Sequence, residues 1–215
     1  MSAAVAPRRW KERVALALGA FAGGMILVSV LYVAVASFAF DLGKYPQEAP
    51  FDRMASALVD YLRGDAQALP PIFTDRESLH MVDVLALFRG GRQIALIFAV
   101  FGFLFCVFGW ILGGSKRLAA GLQIGFAAFA TMVGFVGAWA LVDFSGWFTV
   151  MHELAFANDL WLLDPATSLL IQMLLLPFFV NAVRVIALRF ISAAALLLCV
   201  SIGIRRFSAR KDSAS

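Results

Sequence analysis

His80 and His152 are the only histidines among the 215 residues of this chain. An unperturbed imidazole titrates near pH 6.5, so each ring could take up or release a proton under ordinary conditions. On a helix, Glu77 and Asp83 lie three residues to either side of His80 and share its face. Either carboxylate could orient the ring or support an imidazolium. Thr74-Asp75-Arg76-Glu77 reads as a capping box, however, which gives Glu77 a local task and leaves Asp83 as the better partner. Glu153 adjoins His152 and therefore points elsewhere on a helix, while Asp159 or Asp164 would have to reach back through a loop. Phe148 and Phe156, four residues to either side of His152, would sandwich its ring. Apolar surroundings favour the neutral imidazole, the form that a general base needs.

Other chemistries find less support in the residues. Two histidines and nearby acids could hold zinc, but there is no HExxH and neither cluster offers two imidazole ligands. No GxSxG surrounds a serine; Ser78 falls too close to the start of its helix and Ser145 lies in Phe-Ser-Gly. Cys106 and Cys199 sit inside apolar blocks, so no disulfide framework or cysteine-rich metal site is expected. Gly23-Gly24 and Gly113-Gly114 do not form a phosphate-cradling motif and read as ordinary glycines of membrane helices.

The elements that must position these residues follow from composition. The chain is 62% hydrophobic and 15% charged, against about 45–50% and 25% in soluble domains, and its mean hydropathy is +0.86. This is the composition of an integral membrane protein. A helix needs roughly 20 mostly apolar residues to cross a bilayer. Residues 14–40, 93–115 and 118–142 meet that test without a charge, and residues 185–204 meet it with Arg189 near their start. Unpaired backbone is not tolerated in lipid, so these stretches are expected as helices. The first is too long for the core of a signal peptide and is expected to be retained. The expected architecture is all-α: a four-transmembrane-helix bundle forming one membrane domain over residues 14–204, with short helices in two outer-face segments.

Basic residues at the span ends set the expected orientation. Arg8, Arg9, Lys11 and Arg13 precede the first span, Lys116 and Arg117 separate the second and third, and Arg205, Arg206, Arg210 and Lys211 follow the fourth. Only Glu12 and Asp212 oppose them. Both tails, residues 1–13 and 205–215, are therefore expected on the cytoplasmic side, and the segments 41–92 and 143–184 on the outer face. The net charge of +4 is thus explained by membrane flanks, with no call for nucleic acid.

Within the first outer segment, Phe51, Met54, Leu58, Val59 and Leu62 recur at helical spacing and Gly64 ends the run. The helix opened by Thr74 would carry His80 and Asp83 towards Arg89, with Gly90-Gly91 breaking it before the second span. In the second outer segment, helices are expected over Trp147–Asn158 and over Ala166–Leu176. The latter would be capped by Asp164, with Pro165 at its first position, and would end near Pro177. Arg184 and Arg189 fall where the fourth span enters the outer leaflet, a costly place for charge unless it snorkels or pairs. With Arg89 they are candidates for contact with lipid or substrate.

The stretch Glu77-Ser78-Leu79-His80-Met81-Val82-Asp83-Val84 resembles the bacterial lipoprotein intramolecular transacylase family. So does His152-Glu153-Leu154-Ala155-Phe156-Ala157-Asn158-Asp159-Leu160-Trp161-Leu162-Leu163-Asp164-Pro165, and Leu-Pro-Phe-Phe at 176–179. The resemblance extends over the whole chain. It implies a multi-pass protein of the bacterial cytoplasmic membrane that acts, without cofactor, on a diacylated lipoprotein among membrane lipids. The sn-2 acyl chain would move from the glyceryl group to the α-amino group of the amino-terminal Cys, leaving a lyso-form lipoprotein. By the same resemblance His80 and His152 are the family's two histidines and Asp83 its aspartate. One assignment makes His80 the base, oriented by Asp83, with His152 stabilising the oxyanion; the reverse assignment and a transient acyl-imidazole stay open. Asn158, Asp159, Trp161 and Asp164 would support the loop that delivers His152. The competing readings are a scaffold or pH-responsive sensor and a metal-dependent lipid hydrolase.

Overall fold

The structure is a computed structural model that describes residues 6–214; the outermost residues of both expected tails, 1–5 and 215, lie outside it. Six α-helices follow one another: α1 (Ala6–Ala39), α2 (Phe51–Arg63), α3 (Asp75–Val142), α4 (Phe144–Ala155), α5 (Leu169–Met173) and α6 (Leu176–Ala214). A 3₁₀ turn at Leu42–Lys44 follows α1, and the described residues contain no strand. Three of the helices, α1, α3 and α6, are long and apolar enough to cross a membrane. They contain all four of the stretches expected to span it, because α3 holds two. The chain divides into two compact units, one of Met1–Tyr32, Gln93–Phe135 and Arg189–Ser215, the other of Val33–Arg92 and Val136–Leu188.

In the first unit, α3 turns back on itself at Gly114, which adopts φ 70° and ψ 176°. That left-handed backbone favours a residue without Cβ, so Gly114 is not an ordinary helical glycine. Both arms of α3 lie along α1. A Cβ on Gly102 would meet Ile26 and the Ala22 carbonyl, and one on Gly109 the Ala15 carbonyl, so this arm runs antiparallel to α1. On the other arm, Gly121 faces Leu16 and Gly19, and Gly125 faces Ala20 and Gly24, so it runs parallel. Gly19 and Gly23 in turn face the Leu118 and Leu122 carbonyls. Two glycine pairs, each spaced by four, thus bring two backbones into contact, the close-packing mode that lipid-embedded helices use where hydrophobic driving force is absent. At the turn, Arg117 pairs with Glu12 at 2.8 Å, Ser115 bonds Ser208 at 2.7 Å and Arg205 donates to Gln123 at 2.9 Å. Glu12, Arg117 and Arg205, one from each of the three segments that carry the basic clusters, make their contacts at this one end of the unit.

The second unit is built on a small apolar core. The predicted face of α2 forms it, with Met54, Leu58, Val59 and Leu62 buried against Phe73, Met81 and Leu85 and against Leu170 and Met173. Each such side chain contributes about 1.5–3 kcal/mol when fully removed from water. Gly64 ends α2 in the left-handed conformation at φ 89°, and Arg63 donates from both Nε and Nη2 to the Phe40 carbonyl just beyond α1. The capping box at Thr74 forms as expected.

Three expectations are corrected here. Gly90-Gly91 does not break α3, which continues through both residues. Neither has a positive φ, and the roughly 1 kcal/mol that a helical glycine costs is smaller than the cost of freeing backbone groups beside lipid. Asp164 does not open a helix: its side chain accepts from Ala166 N and its carbonyl from Thr167 N and Ser168 N, closing a turn. The helix start moves to Ser168, whose Oγ accepts from Ile171 N, and α5 spans only Leu169–Met173. Pro177 begins α6 instead of ending the helix before it, a position where its missing N–H costs nothing.

Replacing Gly125 by Val should force the α1–α3 contact apart. The expected loss is about 1–3 kcal/mol, or roughly 3–10 °C in the thermal midpoint of the detergent-solubilised protein. Gly134→Ala, at a glycine with open space around it, should leave the midpoint unchanged or slightly raised. Equal midpoints for the two variants would contradict the close backbone packing.

Candidate active site

His80 lies on the second turn of α3 and His152 on the last turn of α4, and the second unit brings their rings to 6.1 Å between centroids. Both side chains are buried, each residue 7% exposed. Aromatic rings enclose them. Phe156 stands 5.1 Å from His80 and 5.5 Å from His152, Phe148 lies 3.8 Å from His152, and Trp161 lies 5.0 Å from it on the loop after α4. The expected sandwich of His152 between Phe148 and Phe156 is present. Phe148 also packs into a wall with Phe144, tilted against it, and Phe179, edge-on.

The two rings differ in their hydrogen bonding. His152 Nδ1 is 2.8 Å from the Phe148 carbonyl. A carbonyl oxygen only accepts, so Nδ1 carries the hydrogen and the neutral ring keeps its lone pair on Nε2. His80 Nδ1 is buried and has no hydrogen-bond partner. Burial holds the His80 pKa down to about 4, helped by the neighbouring His152 and opposed by the Asp83 charge. Burial also lowers His152, against the pull of the Phe148 carbonyl. Both imidazoles are therefore neutral near pH 7.

The supporting residues are distributed differently from the expectation. Asp83 does not hydrogen-bond His80: its Oδ2 accepts from Asn158 Nδ2 at 2.9 Å, and Asn158 Oδ1 accepts from Leu160 N. Asp159 faces Arg76, with an ion pair at 3.6 Å and an Arg76 hydrogen bond to its carbonyl. Arg76, His80 and Asp83 are spaced four and three apart on one face of α3, so the Asn158–Asp159 turn is fastened on both sides of His80. Trp161 packs against His152 as described, and Asp164 shapes the next turn. Arg89 and Arg184 are exposed, and Arg189 is half-buried within the first unit.

Glu77 is the residue whose reach the sequence did not reveal. It is fully buried. Oε2 accepts from Thr74 N and Thr74 Oγ1, while Oε1 accepts from Ser168 Oγ at 2.6 Å and Leu170 N at 2.8 Å. Burial pushes its pKa up, but the four hydrogen bonds outweigh it and hold the carboxyl below its ordinary value. The capping-box motif signals the first pair of bonds. Nothing local signals the second. Among the described residues no group of three or more His, Cys, Asp or Glu could hold a metal ion.

The sequence pattern of the family described as lipoprotein intramolecular transacylase Lit matches residues 24–179. Among solved structures, the chain is similar to the membrane integral lipoprotein intramolecular transacylase Lit from Bacillus cereus, at 20% identity and a TM-score of 0.63, covering 97% of this chain and 98% of that one. A variant of the same protein with one histidine replaced by arginine aligns at 16% identity and a TM-score of 0.68, covering 94% and 95%. The corresponding alanine variant aligns at 20% and 0.59. A comparison with curated proteins returns no match.

With 2 histidines in the chain, a protein labelled at the imidazole carbons should show two ring signals, assignable through single His variants. On lowering the pH, both should stay in the neutral form past 6.5, with His80 protonating near 4. The unfolded chain takes up these protons first, so native stability should fall as pH drops from about 6.5 towards 4. Midpoints at 6.5 for both rings would contradict the dry site.

Proposed function

This chain belongs to the lipoprotein intramolecular transacylase family, and from that premise we propose that it transfers the sn-2 acyl chain of a diacylglyceryl lipoprotein to the α-amino group of the same lipoprotein's amino-terminal Cys. The observation that carries the reading is the convergence of two neutral imidazoles, 6.1 Å apart, inside an aromatic enclosure.

The chemistry follows from the groups present. The neutral amine nitrogen attacks the ester carbonyl, forming the C–N bond and a tetrahedral centre with negative oxygen and positive nitrogen. His152 Nε2, left with its lone pair by the Phe148 contact, takes the proton from nitrogen. The C–O bond to glycerol then breaks, and the imidazolium returns the proton to the departing oxygen. His80, uncharged well below neutral pH, donates its N–H to the oxyanion. Protons balance without a cofactor, and an ester becomes a more stable amide. Donor and acceptor share one molecule, so orientation supplies much of the rate. This is the reverse of the assignment named first from the sequence, and the His152 tautomer supports it.

Asp83, Asn158 and Asp159 act on this reading by holding the loop that carries Phe156 and Trp161 over the rings. The membrane arrangement belongs to the same proposal: four spans in one domain, the Gly114 turn and both termini on the cytoplasmic side, and the histidines at the outer leaflet of the bacterial cytoplasmic membrane. The gathering of basic residues around Gly114 supports it. A pH sensor needs a ring that titrates near its working pH, whereas burial lowers both imidazoles here, His80 to about 4.

Mass spectrometry of the amino-terminal peptide of a lipoprotein incubated with the protein should show one acyl chain moved from glycerol to nitrogen. His80→Ala and His152→Ala should each lower the initial rate by about 10²–10⁴-fold, the range for loss of an acid–base group. Release of free fatty acid without N-acylation would refute the transfer, and near-normal product from either variant would refute the roles of the rings.

A further inference from the structure

We propose that Glu77 is a positioning residue for the reaction: its buried carboxylate anchors the far end of the loop after α4 to the first turn of α3, and so holds the His80 and His152 rings at their working separation. The inference rests on the transacylase reading for its activity arm and stands apart from it for its structural arm.

The loop that leaves α4 carries Phe156, which touches both imidazoles, and Trp161, which covers His152. Two attachments tie this loop to α3. One is at Asn158 and Asp159, through Asp83 and Arg76. Asp159 is 78% exposed, and ion pairs in water contribute little. The other is at Ser168 and Leu170, both of which donate to Glu77 Oε1. That attachment is fully buried and charge-assisted, the stronger class of hydrogen bond. A buried carboxylate deprived of its donors is strongly disfavoured, so the loop end and the helix start are held as one body. Glu77 lies three residues before His80, so any displacement of the anchor acts within one helical turn of the ring.

A helix cap alone needs only Thr74, and the two jobs of Glu77 separate by oxygen atom: Oε2 caps α3 and Oε1 holds the loop. Glu77→Gln keeps the side chain's size but removes the charge that strengthens the anchor, and it leaves one oxygen to serve donors on two sides. The test compares Glu77→Gln with Thr74→Ala in the full-length protein in detergent, with a diacylated lipoprotein as substrate. Loss of a charge-assisted anchor should lower kcat by about tenfold or more while KM changes by less than about threefold. Thr74→Ala should lower the thermal midpoint with a much smaller loss of kcat.

A second readout needs no turnover. Replacing His152 by Phe should move the His80 ring signal in the otherwise native protein, because the rings are neighbours; in the Glu77→Gln background that response should vanish. If Glu77→Gln does not yield folded protein, Ser168→Ala, which removes the hydroxyl donor alone, should weaken both kcat and the response in the same direction. An undiminished kcat, a kcat loss matched by Thr74→Ala, or a ring response that survives the loss of the anchor overturns the proposal. A native protein that yields no N-acylated product would instead refute the transacylase reading, and the ring response would still judge the anchor.

Discussion

An imidazole works as a base or a neutral donor at physiological pH only while it is uncharged, and here exclusion of water enforces that condition on two rings at once. Phe148, Phe156 and Trp161 surround the histidines, burial depresses both pKa values, and His152 further discourages a charge on His80. The rest of the second unit can be understood as the means of keeping that enclosure closed. The α2 face supplies a dry floor beneath the first turns of α3, α4 presents His152 with its tautomer set by a carbonyl one turn earlier, and the loop after α4 folds its aromatic rings over both.

The polar contacts serve the same end in unequal ways. Arg76–Asp159 lies in water and guides the loop more than it stabilises it. Glu77 is removed from water altogether, so its carboxylate must be fully bonded, and its four donors come from the start of α3 and from the beginning of α5. A buried charge with few ways of being satisfied is a strong constraint on geometry. The first unit rests on a different principle. With no hydrophobic gain available between lipid-facing helices, α1 and α3 associate by backbone approach at glycines.

Much of the architecture was legible from short spacings. The apolar face of α2, its end at Gly64, the Thr74 cap and the aromatic sandwich around His152 all involve residues within about one or two helical turns, and all are present. The misreadings arise where a local signal competed with a distant one. Asp164-Pro165 carries the marks of a helix start, but Ser168 and Leu170 are drawn to Glu77 and the helix begins there instead. Gly90-Gly91 looks like a break, yet the continuous ladder of α3 prevails over glycine's weak propensity. Gly114 looks ordinary in an apolar block and is the point where the helix reverses. Asp83 is spaced to face His80 on the helix and instead bonds Asn158.

The amino-acid sequence by itself determined that this protein is helical, apolar enough for lipid, and equipped with two imidazoles as its titratable groups near neutral pH. Composition and three-to-four-residue periodicity are properties of neighbours along the chain, and hydrophobicity and backbone bonding act on them directly. Only the tertiary structure decided which acid meets which donor, where the turn carrying Ser168 lies, and that the two rings stand 6.1 Å apart. The deciding contacts join residues 75 and 91 positions apart, such as Asn158 with Asp83 and Ser168 with Glu77. Their energy depends on simultaneous packing and desolvation of both partners, a condition that exists only once the helices have come together.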